Sequence, residues 1–201
     1  MIGIIGSTGA GKTTSVVEFL HRKNSAFYEI IYFSASTEDE PLIQLLKQSI
    51  DGIQVFSDAN DLPELTEYND KEKNTEKLLI CDDFINCDKK TMVKLQKWVN
   101  SSRKYGFTVL LLSQNHQNIP IQIRRNIHMY WLFRLSDNNT INNIIKTHNV
   151  SDVPKEVIKK MYLDSTKNRG EFFVVDVIAP NEDPTKYRHC FLDFLNPKDY
   201  T

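Results

Sequence analysis

Gly6-Ser7-Thr8-Gly9-Ala10-Gly11-Lys12-Thr13 fills every fixed position of the pattern G-x-x-x-x-G-K-[ST]. The residue types match a single chemical task, holding phosphates. Gly6, Gly9 and Gly11 free the backbone to turn several N–H groups toward one point. Those groups and the start of a helix together make a cradle for an anion. Lys12 brings a full positive charge to the β- and γ-phosphates, and the Thr13 hydroxyl suits Mg²⁺. Thr14 is placed to reach the α-phosphate. The candidate nucleotide-binding set is therefore Gly6, Ser7, Thr8, Gly9, Ala10, Gly11, Lys12, Thr13 and Thr14, with ATP and Mg²⁺ as the expected ligands. A chance match is disfavoured by context, because an apolar run precedes the motif and a helical pattern follows it.

Hydrolysis at such a site needs a carboxylate at the end of a nearby strand to hold the metal's water shell. "LLICDDF" offers Asp82 after four apolar residues, so Asp82 joins Thr13 as a candidate metal residue. Asp83 comes next and is the candidate general base, although a helix cap is the other role open to it. Gln114 ends the apolar run "TVLLLSQ" and is placed to sense the γ-phosphate or to orient water. Developing charge on the γ-phosphate also calls for a cation, for which Arg103, Arg124 and Arg125 are candidates. Most surface arginines only solvate a face or pair weakly. An arginine that acted across a subunit boundary would require an oligomer.

The elements that must position these residues follow from periodicity. Ile2–Ile5, Glu29–Ser34, Leu78–Cys81, Phe107–Leu112 and Ile127–Arg134 read as strands, mostly as continuous apolar runs of the buried parallel kind. Lys12–Lys23, Pro41–Ile50, Lys89–Lys104, Asn138–His148 and Pro154–Lys167 read as helices. In the second of these, Leu42, Leu45 and Leu46 share a face. In the third, Met92, Leu95 and Val99 form the inward stripe and Lys90, Lys94 and Lys97 lie on another face. Residues 57–76 hold seven acidic side chains against two lysines. That balance reads as a solvated connection with one short helix around Leu62–Tyr68. Phe172–Ile178 and Lys186–Phe191 read as a terminal pair or hairpin that extends the sheet at an edge. Strands alternating with helices predict an α/β fold with a mainly parallel central sheet flanked by helices, in a single domain over residues 1–201.

Bulk properties narrow the choice of partner. Net charge is −1, with 40% hydrophobic and 25% charged residues, so no whole-molecule field favours nucleic acid. A DNA contact would come from a local basic surface, such as Lys89, Lys90, Lys94 and Lys97 or the Lys159-Lys160 pair, repeated around an oligomer. On each patch a solvated face is the plainer reading. Cys81, Cys87 and Cys190 lack metal-ligand or disulfide spacing, which fits a reducing, cytoplasm-like compartment. No stretch has the length of a membrane span, and "MIGIIG" is too short for a signal peptide, so no membrane partner is expected. Trp98 and Trp131 read as packing residues, and Cys81 as buried and inert.

Taken in order, the phosphate motif, "LLICDDF", the basic helix, "SSRKYGFTVLLLSQN" and "IPIQIRRNIHMYWLFRLSD" resemble the FtsK–HerA superfamily of DNA-pumping ATPases. The likeness is to the poxvirus-type genome packaging ATPases of large DNA viruses and virophages. Ser113-Gln114, Ile119-Pro120, Ile123-Arg124, Asn126 and the strand ending Phe133-Arg134 carry it, and "FFVVDV" and "KYRHCFLDF" extend it over nearly the whole chain. The resemblance implies a RecA-like, additional-strand core, a homo-oligomeric ring, and ATP-driven movement of double-stranded DNA into a preformed capsid. It implies a capsid or portal-vertex partner, and a location in the infected cell's cytoplasm, the viral factory or the virion. By position it makes Asp82 and Asp83 the Walker B pair, Gln114 the sensor, and Arg103 or Arg124 the arginine offered across an interface. The motif begins almost at Met1, and no separate DNA-orienting or membrane domain is expected, which weighs against a chromosome-segregation pump.

Two other functions fit parts of the pattern. Small nucleoside and nucleotide kinases share the chain length and an N-terminal phosphate motif. They usually carry an arginine-rich lid, which the sequence does not show, and "DDF" followed by a strand ending in Gln fits a hydrolase better. A non-translocating regulatory ATPase is the second. The chain lacks an N-K-x-D-like guanine motif, which favours ATP over GTP.

Overall fold

The computed structural model describes residues 1–23, 26–34, 41–50, 52–68, 75–82, 87, 89–135, 139–148, 153–180 and 182–201. Asp83 and Asn138, and the side chains of Leu42 and Leu45, lie outside what is described. In chain order the strands are β1 (Ile2–Ile5), β2 (Glu29–Ser34), β3 (Ile53–Phe56), β4 (Lys77–Asp82), β5 (Phe107–Ser113), β6 (Met129–Phe133), β7 (Phe172–Asp176), β8 (Tyr187–His189) and β9 (Asp193–Phe194). The helices are α1 (Lys12–Lys23), α2 (Pro41–Ser49), α3 (Lys89–Ser101), α4 (Ile121–Arg124), α5 (Asn139–Thr147) and α6 (Lys155–Ser165). They fall into two compact units. One holds residues 16–113 with Met1, the other residues 2–15 and 114–201.

In the first unit β3, β2, β4 and β5 lie side by side in that order, all parallel. Ile31, Phe33, Leu78, Leu79, Ile80, Cys81, Leu110, Leu111 and Leu112 are fully buried, as continuous apolar strands covered on both faces must be. β3 is a strand that periodicity does not announce. It is four residues long, sits at the edge beside β2 and is only half-buried, so it lacks the apolar run that marks its neighbours. Helix α3 buries Leu95, Trp98 and Val99, with Met92 half-buried. Residues 102–105 continue beyond it as a separate 3₁₀ turn, which ends at Gly106 in the left-handed region (φ 81°).

The acidic stretch departs from the expected solvated connection. Ala59–Asp61 and Leu65–Tyr68 form two 3₁₀ turns, and Ala59, Leu62, Leu65 and Tyr68 are buried. The Trp98 indole N–H donates to Pro63 O (3.2 Å), and its ring meets Tyr68 and Phe107 edge-on. Composition pointed to solvent because Asp58, Asp61, Glu64 and Glu67 do face out, while the apolar residues between them dock on α3. The Lys94 ammonium donates to Asn60 O and Leu62 O (both 3.1 Å), so it fastens this segment and is removed from the basic face of α3. Lys90 and Lys97 stay exposed.

In the second unit β1 runs parallel to β6, and β7, β8 and β9 follow as antiparallel neighbours. The expected terminal hairpin is present, with the two-residue β9 added beyond it. Trp131, Phe133 and Phe172 pack as one aromatic layer, with ring centroids 5.0–5.5 Å apart. Phe173 stacks on Tyr187 at 6.0 Å. These buried rings supply much of the unit's hydrophobic stabilisation. The four parallel strand pairs and the flanking helices agree with the α/β, mainly parallel class expected. Among the described residues no helix is long and apolar enough to cross a membrane.

Candidate nucleotide site

The phosphate motif forms the turn between β1 and α1, inside the second unit up to Ser15. Gly9 (φ 72°) and Gly11 (φ 106°) occupy the region that a side chain disfavours. Their neighbours impose a second constraint. A Cβ at Gly6 would lie 2.6 Å from Phe133 Cβ, and one at Gly11 would lie 3.0 Å from Gly170 Cα. The loop is therefore pressed between the end of β6 below and the turn before β7 above, and only glycine fits there. Ala10 N–H donates to Ser7 O (3.2 Å), Ser15 N–H to Gly11 O (2.9 Å) and Ser15 Oγ to Lys12 O (2.6 Å), which fixes the entry into α1.

The Lys12 ammonium donates to Gly6 O (2.8 Å) and Ser7 O (3.1 Å), which draws the cation over the mouth of the loop. Ser7 and Thr13 are half-buried, and Thr8 and Thr14 are exposed. This tight, glycine-lined cradle with one inward lysine fits a phosphate chain, and Thr13 offers a hydroxyl for the accompanying Mg²⁺. Beneath it, Tyr162 Oη donates to Phe133 O (3.1 Å) and accepts from Leu135 N–H (2.8 Å). That bridge fixes the strand end on which Gly6 rests.

Asp82 closes β4 in the first unit. Its Oδ2 accepts from the hydroxyl of Tyr32, on β2, at 2.8 Å. Tyr32 is 2% exposed, so the bond is sheltered and orients the carboxylate. Register explains the pairing of the two residues, because Ser34 lies opposite Asp82 and Tyr32 opposite Ile80 on adjacent parallel strands. No motif contains Tyr32. An amphipathic residue within the apolar run "IIYF" was the available signal. Cys81, next to Asp82, is fully buried, and burial pushes its thiol well above the ordinary range, which makes it inert as expected.

Gln114 follows the last residue of β5 and is exposed. Two residues on, His116 is fully buried. The Tyr130 hydroxyl lies 3.1 Å from His116 Nε2 and 2.9 Å from His148 Nε2. A hydroxyl donates one hydrogen, so one imidazole accepts and the other donates. Burial first, then the Arg124 guanidinium and His148, lower the His116 pKa to about 4. The His148 pKa is lowered as well, again chiefly by burial. His116 Nδ1 and Arg124 Nε are buried without a hydrogen-bond partner among the described residues. Arg124 is half-buried, and its positive charge is among the causes that lower the His116 pKa. Arg125 and Arg103 are exposed, with Arg103 on the turn before β5, at the opposite end of that strand from Gln114.

Sequence reasoning did not single out Arg169. It lies on the turn between α6 and β7, and its Nε donates to Gly9 O at 3.0 Å.

Solved structures share this fold. B204, the DNA-packaging ATPase of Sulfolobus turreted icosahedral virus, matches with a TM-score of 0.60 at 16% identity, over 88% of this chain and 91% of its own. The genome packaging NTPase B204 of Sulfolobus turreted icosahedral virus 2, in complex with AMP, matches with a TM-score of 0.63 at 13% identity, over 97% and 98%. EssC (ATPases 2 and 3) of Geobacillus thermodenitrificans matches with a TM-score of 0.51 at 16% identity, over 72% of this chain and 34% of its own. No curated protein sequence matches the chain. The Poxvirus A32 protein family matches residues 52–192, which run from the start of β3 past β8 and include Asp82, Arg103, Gln114 and Arg124. The match covers more than half of the chain, which therefore belongs to the Poxvirus A32 protein family.

Proposed function

We propose that this chain is an Mg²⁺-dependent ATPase that drives double-stranded DNA into a preformed viral capsid and works as a ring of identical subunits. The observation that carries the ATPase reading is the cradle between β1 and α1, where Phe133 and Gly170 leave room for glycine alone and Lys12 covers the mouth. The packaging reading is supported by membership of the Poxvirus A32 family and by the shared fold of two viral packaging ATPases. In this scheme the loop N–H groups and Lys12 hold the phosphates, and Thr13 and Asp82 would hold Mg²⁺, which would supply charge neutralisation at the phosphates. Asp83 takes the proton of the attacking water, and Gln114 senses the γ-phosphate. A trans-acting arginine completes the site. Arg103 suits that task better than Arg124, because it is exposed whereas Arg124 is half-buried. The partners are double-stranded DNA and a capsid or portal-vertex protein, in the cytoplasm or viral factory of an infected cell or in the virion.

The test is steady-state ATP hydrolysis with and without double-stranded DNA, for wild type and Asp83→Asn, in preparations whose assembly state is measured. Stimulation by DNA that disappears in the variant is the expected result. Hydrolysis indifferent to DNA in an assembled ring would sink the motor reading and leave an ATPase of another purpose.

A further inference from the structure

The turn at Asn168–Glu171 lies against the phosphate loop at two points. Arg169 Nε donates to Gly9 O at 3.0 Å, and Nη2 comes within 3.6 Å of where a Cβ on Gly9 would stand. Gly170 Cα lies 3.0 Å from the corresponding position on Gly11. The turn is stiff. Asn168 N–H and Nδ2 donate to the two carboxylate oxygens of Glu171 (3.0 and 2.9 Å), and Gly170 adopts φ 89°, which lets the chain reverse there. Its root is buried, since Thr166 is fully enclosed and donates to Tyr162 O at 2.8 Å. No carboxylate neutralises Arg169 among the described residues, and its one hydrogen bond leaves the Nη donors uncommitted. Lys12 makes the same kind of contact, ammonium to loop carbonyl, at Gly6 and Ser7.

We infer that Arg169 is a second cation of the phosphate site, supplied in cis. Gly9 O holds its Nε, and the Nη groups donate to phosphate oxygens of a nucleotide seated in the loop. The inference rests on the nucleotide-site reading above. It differs from the trans arginine, because a lone subunit already possesses it. Guanidinium suits the task, having a flat fork of donors that matches two phosphate oxygens and a charge that never titrates in the working range.

The experiment is equilibrium binding of fluorescent (N-methylanthraniloyl) ATP, ADP and AMP, with Mg²⁺, to the full chain. Wild type is compared with Lys12→Ala, Arg169→Ala and Arg169→Lys. Arg169 is exposed, so its variants should keep the wild-type melting temperature and circular dichroism. Arg169→Ala is expected to weaken ATP binding about tenfold or more, roughly the loss of one charge-assisted hydrogen bond, with a smaller loss for AMP. Arg169→Lys should recover part of the loss. ATP affinity within twofold of wild type in Arg169→Ala, while Lys12→Ala abolishes binding, would overturn the inference and leave the nucleotide site standing. Equal losses for AMP and ATP would overturn it too, by making Arg169 a brace for the loop instead of a phosphate ligand. Unchanged binding in Lys12→Ala as well would bring down the nucleotide-site reading itself.

Discussion

The platforms beneath the two motifs are built on different physics. Under the phosphate loop, β1 and β6 meet through glycines pressed against rings, with Gly3 against Tyr130 and Gly6 against Phe133. Tyr130 in turn joins two histidines. Under Asp82, the middles of β2 and β4 are apolar, and the hydroxyl of Tyr32 orients the carboxylate. The first platform is defined by close steric fit and contains titratable groups whose charged forms it disfavours. The second is defined by hydrophobic burial and a neutral-to-anion hydrogen bond. The two should therefore fail differently, the first abruptly and with acid, the second gently and only in its handling of metal.

The largest contrast is expected at Lys12. Lys12→Ala removes the loop's own cation without adding bulk, and turnover should fall about a hundredfold or more, the scale of losing one preorganised charge contact to a transition state. Steady-state hydrolysis checks it. A loss below tenfold would mean that Arg169 or the helix N-terminus holds the phosphates unaided.

Acid provides the next contrast. In the unfolded chain a histidine takes up its proton near pH 6.5, whereas folded His116 resists until about pH 4. Stability is thus fully present above pH 6.5 and is lost as pH falls from there toward 4, by about 3 kcal/mol for this residue alone. The lowered His148 pKa acts in the same direction. Hydrogen exchange at pH 7.5 and pH 4.5 should show β1 and β6 amides losing protection while β2 and β4 amides keep theirs. His116→Gln should reduce that difference. Uniform loss in all four strands would remove the distinction between the platforms.

A steric probe separates the platforms further. Gly6→Ala places a methyl group 2.6 Å from Phe133 Cβ, which must shift, so a destabilisation of about 1–3 kcal/mol is expected. Thermal melting reads it directly.

These contrasts also mark what could be read without coordinates. Motif residues were legible because their types are forced: Gly9 and Gly11 by positive φ, Lys12 by phosphate charge, Asp82 by its place after four apolar residues. Helix α1 was legible to the residue, since phosphate chemistry fixes its start and the basic last turn, His21 to Lys23, suits its end. What supports the motifs was not legible. Tyr32 and Phe133 look like any aromatic residue in a strand, and Arg169 lies 160 positions from the carbonyl it holds, so pattern and spacing cannot connect them. β3 was missed because an edge strand needs only partial burial, and the docking of stretch 59–68 because the seven acidic residues of 57–76 dominate the composition around it.

The smallest effect tests the second platform most sharply. Tyr32→Phe keeps the ring, and hence the packing of β2, and deletes only the hydroxyl on Asp82 Oδ2. The lost bond has a charged acceptor, so a cost of about 1–2 kcal/mol is expected in whatever the oriented carboxylate does. If Asp82 holds Mg²⁺ water, the cost falls on metal handling. The Mg²⁺ concentration for half-maximal hydrolysis should then rise about five- to tenfold, with saturating turnover and melting temperature nearly unchanged. A fall in melting temperature with an unchanged Mg²⁺ requirement would instead make the bond part of the sheet's own stability. The second platform would then resemble the first, with residues beneath the motif serving the fold before the chemistry.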